Sequence, residues 1–154
     1  FDGTLKTENG QLIFEEGKLE NARKVEQRMD EPEVYTGDVK LPGNGFKIAI
    51  APEIAAQLGG YAGKHVVLGI RPEHFHLHPV GEGSTKVGVT VNVVEPLGND
   101  MDAYISTPLH THKIARVEAD PSLTAGKQID LYIDSRKVHV FEPGPTGKNL
   151  SLRK

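Results

Sequence analysis

The sequence lacks cysteine and tryptophan, and aromatic residues make up only 6% of its 154 residues. The absence of cysteine excludes disulfide bonds and thiolate metal ligands. A surface for nucleic acid needs basic side chains and aromatic stacking platforms, and the net charge here is -3. No apolar run approaches the length of about 20 residues that a membrane-spanning helix needs. We therefore expect a globular chain with no nucleic-acid partner.

Motifs for nucleotide binding and catalysis are also missing. The pair Gly147-Lys148 ends like a phosphate-binding loop, but Glu142 stands where the first glycine of that loop belongs. Asn149 replaces the Ser or Thr whose hydroxyl would hold Mg²⁺. There is no Gly-x-Ser-x-Gly elbow and no His-Glu-x-x-His helix. We predict no catalytic residue and no bound cofactor in this segment, which is not expected to be an enzyme by itself.

Glycine and proline are plentiful, with 17 and 10 residues, and short β-branched runs lie between them. This composition predicts many short strands joined by tight turns. Asn9-Gly10 predicts a two-residue hairpin turn, because both positions tolerate positive φ. A short helix is predicted near residues 52–58, with Pro52 in its first turn and Gly59 at its exit. The expected fold is an all-β barrel or sandwich of about ten strands.

The clearest strand signal lies in residues 86–95, which alternate between apolar and polar side chains. The predicted buried face of this strand carries four valines: Val87, Val89, Val91 and Val93. Further strands are predicted at 102–106, 112–118, 128–133 and 137–141.

Residues 15–33 differ in character, because 11 of these 19 positions are charged. Leu19, Ala22, Val25 and Met29 recur at the spacing of one narrow apolar stripe on a helix. One hypothesis is a docking arm for a partner. The more ordinary interpretation is a solvated insertion on the domain surface.

Three histidines, His74, His76 and His78, alternate along one predicted strand. They would be able to ligate Zn²⁺, Ni²⁺ or Cu²⁺ if a second strand, such as one with His110 or His112, supplied another ligand. An exposed polar strand face is the more common use of such residues. They are weak metal candidates, and no metal is predicted.

The stretch from 66 to 77 begins as an apolar strand and breaks at Gly69, after which Arg71, Pro72 and Glu73 stand together. Pro72 removes a donor and so ends strand pairing. Arg71 and Glu73 are left to bond the backbone or each other. We predict that Arg71→Ala costs about 2 kcal/mol or more, because it removes a partly buried, charge-assisted bond.

Four motifs occur in order across residues 66–141: Gly69-Ile-Arg-Pro-Glu-His74, Val93-Val-Glu-Pro-Leu-Gly-Asn99, Ala125-Gly-Lys127 and Val138-His-Val-Phe141. Together they resemble the C-terminal regulatory region of sugar-import ABC transporter ATPases, of the maltose, multiple-sugar and glycerol-phosphate type. Two departures stand out. Asp100 occupies a position where that family usually has Glu, and the charged insertion is longer than usual.

The resemblance implies an oligonucleotide/oligosaccharide-binding-like β-barrel of the transport-associated (TOBE) type. The regulatory domain would cover residues 1–145, with a loose polar tail at 146–154. An ATPase domain that binds ATP and Mg²⁺ would lie upstream. Gly69, Ile70, Arg71, Pro72 and Glu73 would form the structural motif of the family. Possible dimer or turn contacts would follow in the next motif: Glu95, Leu97, Gly98 and Asn99.

The implied function is non-catalytic: a regulatory and dimerisation domain that supports ATP-driven sugar uptake. Implied partners are a second copy of the domain, the membrane subunits through the upstream domain, and a regulatory protein. The implied location is the cytoplasmic face of the cell membrane. An alternative is a domain that senses a small oxyanion or a sugar, for which Ser84-Thr85-Lys86 is the candidate cluster.

Overall fold

A computed structural model describes residues 1–19, 23–24, 35–36, 39–40, 45–144 and 147–152. The chain divides into two compact units, and one domain over 1–145 stays a prediction. The first unit comprises residues 1–69 and 139–154, and the second comprises residues 70–138. Each unit is built on a five-stranded antiparallel sheet, so the all-β prediction is confirmed.

The sheet of the first unit has the order β14-β8-β1-β2-β7. Its strands are β1 (Asp2–Glu8), β2 (Gln11–Glu16), β7 (Lys47–Ala49), β8 (His65–Gly69) and β14 (His139–Phe141). The predicted hairpin joins β1 to β2, with Asn9 at φ 50° and Gly10 at φ 77°. Leu5, Phe14 and Ile48 are fully buried between the strands. The predicted short helix is α1 (Pro52–Ala55), which begins at a proline.

The charged insertion starts as part of this sheet rather than outside it. Glu15 and Glu16 are the last residues of β2, and both are buried. Lys6 Nζ lies 2.9 Å from Glu15 Oε2, which offsets the cost of burying that carboxylate. Sequence reasoning placed both residues on a solvated surface, and that was wrong. For Glu15 it ignored the cross-strand lysine, and for Glu16 it ignored the Phe46 amide, which lies 3.5 Å from Glu16 Oε1.

Four short strands follow: β3 (Lys18–Leu19), β4 (Arg23–Lys24), β5 (Tyr35–Thr36) and β6 (Val39–Lys40). β3 pairs with β6 and β4 with β5, both antiparallel, so Leu19 lies in a strand and not on the predicted helical stripe. Ala22, Val25 and Met29, the other members of that stripe, lie outside the described residues.

Residues 149–151, part of the predicted loose tail, are packed against β14. Asn149 forms a β-bridge with Phe141, and Leu150 is 9% exposed. The Leu150 amide donates to the Val140 carbonyl at 2.7 Å, and the Val140 amide donates to Ser151 Oγ. Backbone pairing with β14 therefore holds this segment, which its polar composition did not indicate.

The sheet of the second unit has the order β12-β11-β10-β13-β9. Its strands are β9 (Phe75–His76), β10 (Ser84–Leu97), β11 (Asp100–Ser106), β12 (Lys113–Glu118) and β13 (Gln128–Asp134). The two edge strands, β9 and β12, contact each other, so the sheet curls into a nearly closed barrel. Val87, Val89, Val91, Ile105 and Leu131 lie in its core. Within the described ranges, no helix combines the length and the apolar character needed to cross a bilayer.

Candidate functional site

A β-bulge at Asn92 determines which side chains of β10 lie on the outer face of the second unit. Val91 pairs with Ile105 and Val93 with Tyr104, so β10 carries one extra residue between these two pairs. An extra residue shifts the inside-outside alternation of the strand by one position. Val91 is therefore fully buried, whereas Val93 is 55% exposed. The prediction that Val93 shares the buried face of Val91 was wrong for this reason.

Beyond the bulge, an apolar row crosses three strands on the outer face. Val93 lies opposite Tyr104, and Tyr104 lies opposite Ile114. Directly opposed residues on neighbouring strands share a face and contact each other. Ile114 is 38% exposed. The outer face therefore carries aliphatic groups on both sides of an aromatic ring, all accessible to a partner.

A second row, Glu95–Asp102–Arg116, lies next to the apolar row and is charged. Arg116 donates to both oxygens of Asp102, with Nε–Oδ1 at 2.9 Å and Nη2–Oδ2 at 3.1 Å. These bonds hold the pKa of the Asp102 carboxyl below its usual range. The Tyr104 hydroxyl donates to Glu95 Oε2 at 3.2 Å, which raises the pKa of Tyr104. This hydrogen bond links Tyr104, in the apolar row, to Glu95, in the charged row.

Two cavities open on this face. The larger, of about 860 Å³, lies over the apolar row and extends to Asn92, Ser106 and His112. The smaller, of about 400 Å³, lies over the middle of β10 and also reaches Ser106. Among the described residues, no Lys or Arg lines either cavity. The outer face of the second unit therefore comprises the apolar row, the charged row and these two cavities.

Two family models match the chain. The model of the MalK OB fold domain matches residues 1–75, and the model of the TOBE domain matches residues 68–141. The chain belongs to the MalK OB-fold and TOBE family. The resemblance inferred from the four motifs is therefore confirmed, and the TOBE match includes the whole outer face.

Curated relatives of this TOBE chain are ATP-binding proteins of importers. The sn-glycerol-3-phosphate import protein UgpC of Chromohalobacter salexigens is 34% identical over 110 residues, which cover 70% of this chain and 28% of the relative. The sulfoquinovosyl glycerol transport protein SmoE of Agrobacterium fabrum is 31% identical, with coverage of 69% and 29%. The trehalose/maltose import protein MalK of Thermococcus litoralis is 28% identical, with coverage of 75% and 32%. The chain thus spans about a third of the length of these relatives.

One solved structure supports the fold assignment. The cytoplasmic molybdate-binding protein ModG, solved with molybdate bound, matches with a TM-score of 0.55 and 15% sequence identity. The match covers 93% of this chain and 94% of that one. At this identity the likeness establishes the OB-like fold and nothing further.

The four predicted contact residues of the TOBE region are all exposed. Glu95 and Leu97 end β10, with Leu97 45% exposed. Gly98 and Asn99 form the two-residue turn to β11, where Gly98 has φ 85° and adopts it without strain. Only Glu95 lines the larger cavity. Leu97, Gly98 and Asn99 lie at the hairpin tip, beyond the charged row.

The Arg-Pro-Glu corner is not a buried ion pair. Arg71 and Glu73 are exposed, and neither side chain has a hydrogen bond or ion pair within the described part of the chain. The corner is closed by the backbone instead, because the His74 amide donates to the Arg71 carbonyl across a 3-10 turn that begins at Pro72. The expectation of a stabilising side-chain bond from Arg71 was wrong.

The first glycine of the motif has a steric role. Gly69 ends β8 and lies opposite His139 of β14, and the ring of Phe141 covers it. A Cβ built on Gly69 would lie 2.6 Å from Phe141 Cε2. Two separate family motifs therefore meet at one point of the first sheet. The next residue, Ile70, is half-buried.

The three alternating histidines do not share a strand face. His74 lies in the 3-10 turn (Pro72–His74), His76 ends the two-residue strand β9, and His78 lies beyond it. His76 and His78 line a small cavity of about 200 Å³ beside Glu118. Within the described residues, no group of three or more His, Asp or Glu side chains is placed to hold a metal ion. The continuous strand assumed for this stretch was the error.

Sequence reasoning missed Val93, Tyr104 and Ile114 as a surface row. The only signal for it is the pair Val93-Val94, because two consecutive valines cannot both follow a two-residue alternation. Val94 lies opposite the buried Ala103, so Val94 takes the inward position and Val93 faces outward.

Proposed function

We propose that this chain is a regulatory and dimerisation module of the ATP-binding subunit of a carbohydrate importer. In this role the module has no catalytic activity of its own. ATP and Mg²⁺ would bind in a nucleotide-binding domain of the same subunit, and the membrane subunits would dock on that domain. The subunit would work at the cytoplasmic face of the membrane. The family membership and the importer relatives support this assignment.

The exposed apolar row carries the dimerisation part of the proposal. Protein interfaces commonly have an apolar and aromatic centre within a polar rim. Val93 and Ile114 lie on either side of Tyr104, and the charged row forms one border of this centre. Leu97 extends the apolar surface past the charged row toward the hairpin tip.

A second copy of the chain is the occupant that fits this face. In a two-fold interface the same patch of both copies meets, so each row packs against a copy of itself that runs in the opposite direction. The apolar row can pack in this way, because it has an aliphatic side chain at both ends. The charged row does so as well, because it has Glu95 at one end and Arg116 at the other. A two-fold axis near Tyr104 would bring Glu95 of one copy toward Arg116 of the other.

Sedimentation equilibrium of the chain tests this proposal. We expect a reversible dimer in the wild type. Val93→Lys or Ile114→Lys should weaken it by at least about 100-fold, because each lysine occurs twice in a two-fold interface. Both positions are exposed, so the substitutions should leave the melting temperature of the monomer, measured below the dissociation constant of the dimer, unchanged. Leu152→Lys is the matched control, since Leu152 is 60% exposed but lies in the first unit.

A charge-reversal pair sharpens the test. Glu95→Lys and Arg116→Glu should each weaken the dimer, and the double variant should recover part of the loss. A strict monomer at high concentration would refute a self-sufficient dimer. A dimer that Val93→Lys leaves intact would place the interface elsewhere.

The oxyanion-sensing alternative receives no support from its candidate cluster. Ser84 Oγ already accepts the Val80 amide, at 2.5 Å. Ser84 also lies opposite Asp134, whose carboxylate would repel an anion. ModG is a molybdate-binding protein, but its likeness to this chain is one of fold.

A further inference from the structure

The smaller cavity of the outer face has a polar lining drawn from three strands. Gln128, Thr90 and Ser106 form one cross-strand row, and Asp130 lies opposite Gly88 in another row two residues along. Residues two apart on a strand share a face, so all five residues face the same side of the sheet. The cavity has a volume of about 400 Å³, within the range of about 300–1,000 Å³ typical of small-ligand sites.

The polar side chains of this cavity are free to bind a ligand. Within the described part of the chain, Thr90, Ser106, Gln128 and Asp130 make no side-chain hydrogen bond or ion pair. Gly88 keeps the floor open, since a Cβ built there would meet only Asp130 Oδ1, at 3.8 Å. The cavity therefore offers two hydroxyls, an amide and a carboxylate around a bare stretch of backbone.

Pro108 supplies an apolar wall, and its position is fixed. The amides of Leu109 and His110 both donate to Thr107 Oγ1, and the Thr107 amide donates to the His110 carbonyl at 2.8 Å. These bonds make a closed turn around Pro108. The proline ring can thus contact the C–H face of a ligand whose polar groups reach the strands.

The charge of the lining selects among ligand classes. An anion is disfavoured, because Asp130 contributes a carboxylate and, among the described residues, no Lys or Arg lines the cavity. A metal ion is disfavoured as well, because the described lining has one carboxylate, Asp130, and no histidine. A neutral ligand with several hydroxyls matches every group, since a carboxylate accepts from two hydroxyls and Gln, Ser and Thr both donate and accept.

We propose that the cleft formed by Gly88, Thr90, Ser106, Pro108, Gln128 and Asp130 binds an uncharged polyol, of the size of a single hexose. The regulatory purpose of such a site rests on the proposed function, because a carbohydrate-importer module has reason to sense a neutral sugar. The cleft is formed within one copy of the chain, so glucose binding can be measured on the monomer even if the chain does not dimerise.

Titrations followed by protein NMR test the proposal, with glucose and glycerol as neutral probes and glycerol 3-phosphate and molybdate as charged ones. We expect saturable shifts of the amides of Gly88, Thr90 and Gln128 with glucose, and none at these positions with the charged probes. Asp130→Asn and Gly88→Val should each weaken glucose binding by at least about 10-fold. Glu82→Gln, a carboxylate-to-amide change at an exposed turn, is the matched control and should bind as the wild type does.

Three outcomes would overturn the proposal. One is the absence of saturable shifts with both neutral probes. Another is glucose binding that Asp130→Asn and Gly88→Val leave unchanged, which would place the site elsewhere. The third is binding of a charged probe at these amides, which would assign the cleft to another ligand class. The wild-type amide spectrum, retained in each variant, shows that a loss of binding is not a loss of fold.

Discussion

The contact between Gly69 and Phe141 makes a quantitative prediction about stability. Gly69 lies in a strand at a backbone conformation open to any residue, so alanine there avoids backbone strain. Alanine is favoured over glycine inside a strand by about 0.5–1 kcal/mol. Its Cβ, however, would lie 2.6 Å from Phe141 Cε2, and overpacking of this kind costs about 1–3 kcal/mol. We expect Gly69→Ala to lower the free energy of unfolding by about 1 kcal/mol.

The sign of this effect should reverse when the ring is removed. Phe141→Leu takes away the atom that blocks the new methyl group. In that background Gly69→Ala should raise the free energy of unfolding by about 0.5–1 kcal/mol, which is the intrinsic strand preference alone. The double-mutant cycle should therefore give a coupling energy of about 1–3 kcal/mol.

Urea unfolding of the four proteins, followed by circular dichroism, measures this coupling. Both residues lie in the first unit, so the transition of that unit is the relevant one. Gly59→Ala is the control, because Gly59 lies in the same unit and its new Cβ meets nothing within 4 Å, so the change should be neutral or slightly stabilising. Additivity within about 0.5 kcal/mol would refute the inferred packing. It would mean that the ring turns aside at no cost.

Two further predictions concern charged groups. Arg71→Ala should change the free energy of unfolding by no more than about 0.5 kcal/mol, because the side chain is exposed. A loss of 2 kcal/mol in urea unfolding would mean instead that Arg71 makes a buried, stabilising bond. Arg116 lowers the pKa of Asp102, and Arg136 lowers the pKa of Asp134. The two ionised aspartates therefore stabilise the folded state fully above their unfolded-state pKa of about 3.9. This stabilisation is lost as the pH falls through their lower folded-state pKa values. Urea unfolding across this acid range should show a smaller pH dependence in Asp134→Asn, and an unchanged dependence would exclude Asp134 as a source.

The fold was accessible from the sequence wherever local chemistry decides the structure. Asn9-Gly10 permits one kind of turn, and that turn pairs β1 with β2. Gly98-Asn99 also forms a two-residue turn, with positive φ at Gly98 only, and joins β10 to β11. The alternation through Val87, Val89 and Val91 holds as far as the bulge. In each case the relevant interactions lie within a few residues of the chain.

The candidate surfaces were not accessible, because they depend on register between distant strands. Thr90, Ser106 and Gln128 are separated by many residues in the chain and become neighbours only through the pairing of β10 with β11 and β13. The Asn92 bulge then sets which valine faces outward. The Arg71 error has a related cause: the charged pair looked like the source of the corner, while a backbone bond to the Arg71 carbonyl suffices.

Ser106 connects the two proposals, because its side chain lines both the cleft and the larger cavity over the apolar row. A ligand shifts a monomer–dimer equilibrium only by the difference between its affinities for the two states. If the apolar row pairs with a second copy, the larger cavity is covered and the surroundings of Ser106 change. A polyol held by Ser106 would then bind the two states with different affinity. By reciprocity, pairing would alter polyol affinity by the same factor as the polyol alters pairing. Contiguity of the two surfaces on one sheet is what would let a neutral sugar regulate the association of two subunits.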